Sequence, residues 1–442
     1  MVRRRLSTEQ PVASSPFAAR GHQSPCLEFD SVCQRLCLDS PPGCAAESKL
    51  AQETSTDTKT VVGAGLSTNG GIPAMRASIS TTNRWIVPEQ DWVWSSSGQE
   101  DKCSQKSGTP FSVLNPFVND LKGASKPQMS LSLPSLVDDY YSHLLDWSHS
   151  DMVALALGSQ VFLWQANTQS LQGSIHPRAA DGPYFPVRLS HRVTSVSWSP
   201  DGSTLGIGTK EGSVQFWDVE RRTKLRTVKS HLSGVGVLSW NQQILSSGSV
   251  LGLIHHHDYR AHAPTVGVFH QEGGVCGLKW SPRGDLLASG SKDGLLSIWS
   301  NDLGSTTKNR PLVKTMTQPS AVKALAWCPC QKDMIATGGG RSDTVLRIWD
   351  IQSGVCVDSA QTNSQVCSVV WSVKRNVLFT GHGFPHHHIT CWSPSPSLEQ
   401  AYQLHGHMGR VLHLALSPSE TTLLSAGADH LGHIWNTVSV DI

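Results

Sequence analysis

The chain has 442 residues, 16% of them charged, a net charge of +2, 11 cysteines and 15 tryptophans. This length suits one large repeat domain with an appendage, or two to three average domains. So even a charge balance gives no concentrated basic face for nucleic acid, and no apolar run approaches the roughly 18 residues of a membrane-spanning helix.

Arg3-Arg4-Arg5 is not followed by an apolar core, so no secretory leader is expected. The cysteines include no CxxC pair, and the spacing of Cys26, Cys33, Cys37 and Cys44 matches no standard zinc site. They read as reduced thiols of a cytoplasmic or nuclear protein.

Residues 1–127 are rich in Ser, Thr, Gly and Pro and lack periodic apolar segments. Such a stretch buries too little apolar surface to offset chain entropy, and a disordered regulatory arm is expected. Ser15, Ser24, Ser40 and Thr109 each precede proline, which makes them candidates for phosphorylation.

From residue 128 to the end the pattern is a repeat. One unit runs Val193 to Trp198, Leu205 to Thr209 and Ser213 to Asp218; another runs Val275 to Trp280, Leu286 to Gly290 and Leu295 to Trp299. Short alternating strands joined by turn residues are the pattern of a propeller blade. One aromatic position holds Trp164, Trp217, His257, Trp299, Trp349, Trp392 and Trp435. A second holds Trp147, Trp198, Trp240, Trp280, Trp327, Trp371 and Leu416. Both series predict an all-β, seven-bladed WD-repeat propeller over residues 128–442.

In the last blade His407, Ser425, Asp429 and Trp435 stand where a buried hydrogen-bonded tetrad belongs, a structural role. Too little chain follows Trp435 to supply the outer strand of that blade. Met129-Ser-Leu-Ser-Leu133 alternates apolar and polar residues and is predicted to fill the place, so that no edge stays open.

The glycine-rich strings Gly206–Gly212 and Gly338–Gly340 fall between strands with no helix after them, and read as hairpin turns rather than phosphate loops. The runs His255-His256-His257 and His386-His387-His388 are read as structural, because neighbours on a strand face opposite ways and three adjacent histidines cannot converge on one ion. No catalytic constellation, metal site or cofactor is expected. The pattern implies a recognition surface, not an enzyme.

Several strings are more specific than generic WD repeats: Asp138-Asp-Tyr-Tyr141, His255-His-His-Asp258, Trp327-Cys-Pro329 and Gly381-His-Gly-Phe384. With these the chain resembles the Fizzy, or cell division cycle 20, activators of the anaphase-promoting complex, as a divergent branch. The resemblance implies an adaptor that recruits substrates bearing Arg-x-x-Leu or Lys-Glu-Asn motifs to that ubiquitin ligase. It implies an Arg-x-x-Leu groove at Asp139 and His430, where His430 stands at a position that is acidic in the family. It implies a Lys-Glu-Asn face at Asp146, Gln365 and Arg410, made more basic by Lys292 and Arg341. The family's arm docks to the ligase through Asp-Arg-Phe-Ile-Pro-x-Arg; here Asn83-Arg84-Trp85-Ile86-Val87-Pro88-Glu89 keeps Arg84, an aromatic and Ile86 but displaces the proline. The family's closing Ile-Arg dipeptide has no match in Val440-Asp441-Ile442. Weakened ligase docking is expected, the alternative being a propeller scaffold that no longer engages the ligase.

Overall fold

The computed structural model describes residues 92–94, 110–114, 126–177, 192–302, 312–394 and 396–437. Among them there is no helix, and the strands form seven antiparallel sheets of four or five strands. Each sheet is one blade of the expected propeller. The first strands of successive blades lie against one another, and that of blade seven, Val411–Leu416, returns to that of blade one, Leu145–Trp147.

The two tryptophan series have different tasks. The third-strand indoles bolt their own blade: the Nε1 groups of Trp299, Trp349, Trp392 and Trp435 donate to Ser289, Thr337, Thr380 and Ser425 of the second strand at 2.7–2.9 Å. Three of the first-strand indoles reach the preceding blade instead, while Trp371 donates to Asn376 of its own blade at 3.1 Å. Trp240 donates to the Ser197 carbonyl, Trp280 to the Ser246 hydroxyl and Trp327 to the Lys279 carbonyl, at 2.9–3.0 Å. Buried indole N–H groups need such acceptors, and each of these bonds contributes about 1 kcal/mol net.

The blades also approach closely. A Cβ on Gly290 of blade four would lie 1.9 Å from the Val322 carbonyl of blade five. Gly206 to Thr209 complete the strand Thr204–Thr209, and only residues 210–212 form the hairpin turn to Ser213–Asp218, with Gly212 at φ +86°. A side chain there would meet the His231 carbonyl at 2.2 Å.

Blade seven is closed from upstream. Met129–Ser132 pairs antiparallel with Leu431–Asn436, Leu131 opposite Gly432, and Leu131 is fully buried. Two further pieces depart from the expectation that everything before residue 128 lies outside the sheets. Val113–Leu114 pairs with Met129–Ser132, and Trp92–Trp94 pairs with Ser170–Ile175 on the outside of blade one. Phe111 is buried and its ring stacks on Trp164, centroids 5.9 Å apart. Such isolated pieces show no periodicity because each contributes two or three residues, fewer than any pattern needs.

Two predictions follow from this packing. Chains starting at residues 110, 128 and 140 are expected to melt in descending order of temperature, and Leu131→Ala to cost about 2–5 kcal/mol in urea denaturation. Burial also pulls His143 and His382 from the ordinary 6.5 down to about 3. The unfolded chain therefore takes up two protons near pH 6.5 that the folded chain refuses until about pH 3. Stability contributed by these residues is full above pH 6.5 and falls as pH drops, by about 1.4 kcal/mol per unit for each histidine. Urea midpoints measured from pH 7 to pH 5 should decline accordingly, and less steeply in His382→Asn.

Candidate ligand-binding face

Blade topology puts the start of every first strand and every second-to-third hairpin on one face of the ring. Lys292 and Arg341 occupy that hairpin in blades four and five, and Gln365 and Arg410 immediately precede the first strands of blades six and seven. His430 lies in the hairpin of blade seven at φ 61°, exposed, its carbonyl accepting the Leu133 N–H at 2.8 Å. All five share the face.

The segment that enters blade one brings two carboxylates and two tyrosines to the same face. Asp139 caps its own turn, Oδ1 accepting the Tyr141 N–H at 3.0 Å and Oδ2 the Ser142 hydroxyl at 2.8 Å. Tyr140 is buried and donates to the Val366 carbonyl at 3.2 Å. Lys292 Nζ lies 4.7 Å from the centre of the Tyr141 ring, a cation–π contact that holds its charge on this face.

Arg410 is paired. Its Nη2 is 2.6 Å and its Nε 2.9 Å from Asp138 Oδ1, in a half-exposed setting. Sequence reading assigned a role to Asp139 and passed over its neighbour, although the two acids stand side by side in the specific Asp138-Asp139-Tyr140-Tyr141 string. Gln365 is largely buried, its carbonyl accepting the Gly383 N–H at 2.7 Å.

Asp146 stands elsewhere. It is one residue from the far end of Leu145–Trp147, so it lines the central channel towards the opposite face, beside Lys279 and Lys323. Its Oδ2 accepts the Trp198 N–H at 2.7 Å and thereby joins blades one and two, while burial raises its pKa. The expected grouping of Asp146 with Gln365 and Arg410 is thus not formed. The docking residues Arg84, Trp85 and Ile86 lie outside the described residues.

The tetrad of blade seven is assembled: His407 bonds Ser425 through Nε2 at 2.7 Å and Asp429 through Nδ1 at 3.0 Å, and Trp435 donates to the same Ser425 hydroxyl. In blade three, alternation turns His256 away to Ser246 and Phe269, as strand geometry requires. His255 and His257 share the other side, and His231, from the loop before the first strand, joins them. The reading from adjacent residues alone missed that third member, which is 24 positions before His255.

Such a face, with three cations and two acids around a buried and a half-buried tyrosine, suits short peptides with charged side chains. Residues 131–435 match the CDC20/Fizzy WD40 domain. The chain is 40% identical over 313 residues to the anaphase-promoting complex subunit cdc20 of Dictyostelium discoideum, covering 70% of this chain and 60% of the relative. It is 39% identical over 318 residues to cell division cycle 20.1, cofactor of APC complex, of Arabidopsis thaliana (71% and 67% covered). It is likewise 39% identical over 317 residues to WD repeat-containing protein slp1 of Schizosaccharomyces pombe (71% and 62%). The matched region thus spans 60–67% of these relatives' length. A chain in a crystal structure of the mitotic checkpoint complex superposes with a TM-score of 0.66 at 36% identity, covering 76% of this chain and 99% of that one. With a matching domain across more than half of its length, the chain belongs to the CDC20/Fizzy WD40 family.

Proposed function

We propose that the protein is a non-catalytic adaptor that presents substrates to the anaphase-promoting complex in the cytoplasm or nucleus. The observation that carries this reading is the family match across the whole ring, joined to a charged peptide-sized face on its loops. The names of the relatives, a subunit and cofactors of that complex, support it. The substrates are proteins with Arg-x-x-Leu or Lys-Glu-Asn motifs.

Three features favour weak recognition. Asp139 already serves its own turn, His430 supplies no fixed anion, and Arg410 is engaged by Asp138. In the Lys-Glu-Asn reading Arg410 receives the motif's Glu and Gln365 its Asn, while Lys292 and Arg341 add positive charge that disfavours the motif's Lys. The arm string Asn83–Glu89 supports reduced ligase docking, and a scaffold that has left the ligase is the second reading.

Two measurements test this. Tagged full-length protein should co-purify with ligase subunits, weakly, and replacing residues 83–89 by the family's intact docking motif should raise recovery and ubiquitination of a model substrate. Failure of both versions to recover any subunit favours the scaffold. In peptide titrations by fluorescence anisotropy, His430→Glu should tighten Arg-x-x-Leu binding by about 10- to 150-fold, since a charge-assisted bond contributes roughly 1.5–3 kcal/mol. Asp139→Asn should abolish binding, and salt should erode the gain made by His430→Glu. An Arg-to-Ala peptide that binds equally well would show that the groove no longer reads the motif.

A further inference from the structure

Two exposed large apolar side chains stand on the loop face beside Arg410. Phe384 is 64% exposed in the second-to-third hairpin of blade six, and Met408 is 83% exposed just before the first strand of blade seven. A solitary exposed apolar group is ordinary, but these two are neighbours. The His387 ring lies 6.1 Å from Phe384. Its pKa is lowered by desolvation, with Asp429 opposing and Arg410 adding to that shift, so the ring stands near both charges. Asp429 Oδ2 in turn accepts the Met408 N–H at 2.8 Å. A phenyl ring, a thioether and a guanidinium therefore border one patch across blades six and seven.

Neither side chain owes its exposure to a slack loop. Ser364 Oγ lies 2.9 Å from the Gly383 carbonyl and 3.3 Å from that of Phe384, and the Gly383 N–H donates to the Gln365 carbonyl at 2.7 Å. Met408 is held by Asp429, a member of the blade-seven tetrad. Apolar groups presented on fixed loops bind a matching side chain with little further ordering cost. The partner of Arg410 in this structure is Asp138, whose side chain is 51% exposed. Ion pairs in contact with water contribute little net stability, so the carboxylate of a ligand can take the place of Asp138.

We propose that Arg410, Phe384 and Met408 form a composite docking point for a peptide carrying an acidic side chain with an apolar one close by, and that Asp138 is its built-in competitor. The acid takes Arg410 from Asp138, and the apolar side chain lies on Phe384 and Met408, whose flexible thioether adapts to more than one shape. Asp138 sets the threshold. An acid alone exchanges one carboxylate for another, close to neutral in energy, whereas an acid with an apolar neighbour also gains burial of apolar surface. Lys292 and Arg341 on the same face favour an acidic peptide by charge. This rests on the Lys-Glu-Asn reading of the face and adds to it a preference for an apolar residue near the motif's Glu.

The test uses the full chain and fluorescein-labelled peptides: Lys-Glu-Asn with serine flanks, versions with one leucine at each flanking position, and each of these with Gln in place of Glu. At least one leucine version should bind the parent chain about three- to tenfold more tightly than the serine version, the gain from part-burying one leucine. Phe384→Ser/Met408→Ser should remove that advantage. Val373→Ser, at an exposed apolar position on a first-to-second hairpin of the opposite face, should keep it. Asp138→Asn should tighten every Glu peptide about three- to tenfold and leave the Gln peptides as they were, and Arg410→Ala should make Glu and Gln peptides equal. The competitor role is overturned if Asp138→Asn binds Glu peptides no better, or worse, as it would if Asp138 received the motif's Lys. The apolar contact is overturned if no leucine helps or if its advantage survives the double substitution. If the serine peptide binds and neither effect is seen, the Lys-Glu-Asn reading stands and this proposal alone falls; if no peptide binds any version, both fall.

Discussion

A buried hydroxyl on the second strand of a blade, receiving an indole N–H from the third, is the contact on which the architecture depends. Ser289, Thr337, Thr380 and Ser425 take this role in blades four to seven. In all four a second partner, Gln271, Gln318, His382 or His407, binds the same hydroxyl, so the hydroxyl's donor and acceptor capacities are both used. Removing it would strand two buried polar groups at once, which is why an apolar residue of similar size is no substitute. In blades four, five and seven the second partner comes from the loop that opens the blade, so the hydroxyl ties that loop to the second and third strands; in blade six His382 comes from the second strand itself.

The ring adds a constraint that no single blade can meet. Each first-strand tryptophan of blades three to five uses its N–H on the preceding blade, so a blade is complete only when its neighbour is present. At the join between blades seven and one the chain supplies Met129–Ser132 from upstream, and Ser130 bonds His433 across the new pair. This closure also delivers the segment Asp138–Tyr141 to the loop face, where Asp138 meets Arg410 across a sequence separation of 272 residues. Closure and the proposed recognition face are thus products of one chain path.

Blade three shows how far the tetrad bends. Its hydroxyl, Ser247, still has two partners, both imidazoles, and Phe216 packs edge-on to His257 with centroids 6.5 Å apart. An aromatic ring at the third strand suffices for packing, but an imidazole carries a second nitrogen that an indole lacks. That second nitrogen, His257 Nδ1, is buried without a hydrogen-bond partner.

The sequence alone determined the number of blades, the two tryptophan series, the tetrad of the last blade and the upstream closing strand. All of these depend on local periodicity or on a count, which survive without knowledge of distance. It could not show that Asp146 bridges blades one and two instead of joining Gln365 and Arg410, because which end of a strand lies at which face of the ring is settled only when the blades assemble. Nor could it show that Asp138 holds Arg410, or that His231 completes a trio with His255 and His257. Those pairings bring together residues far apart in the chain, and only the closing of hairpins and ring into one body sets their separation in space.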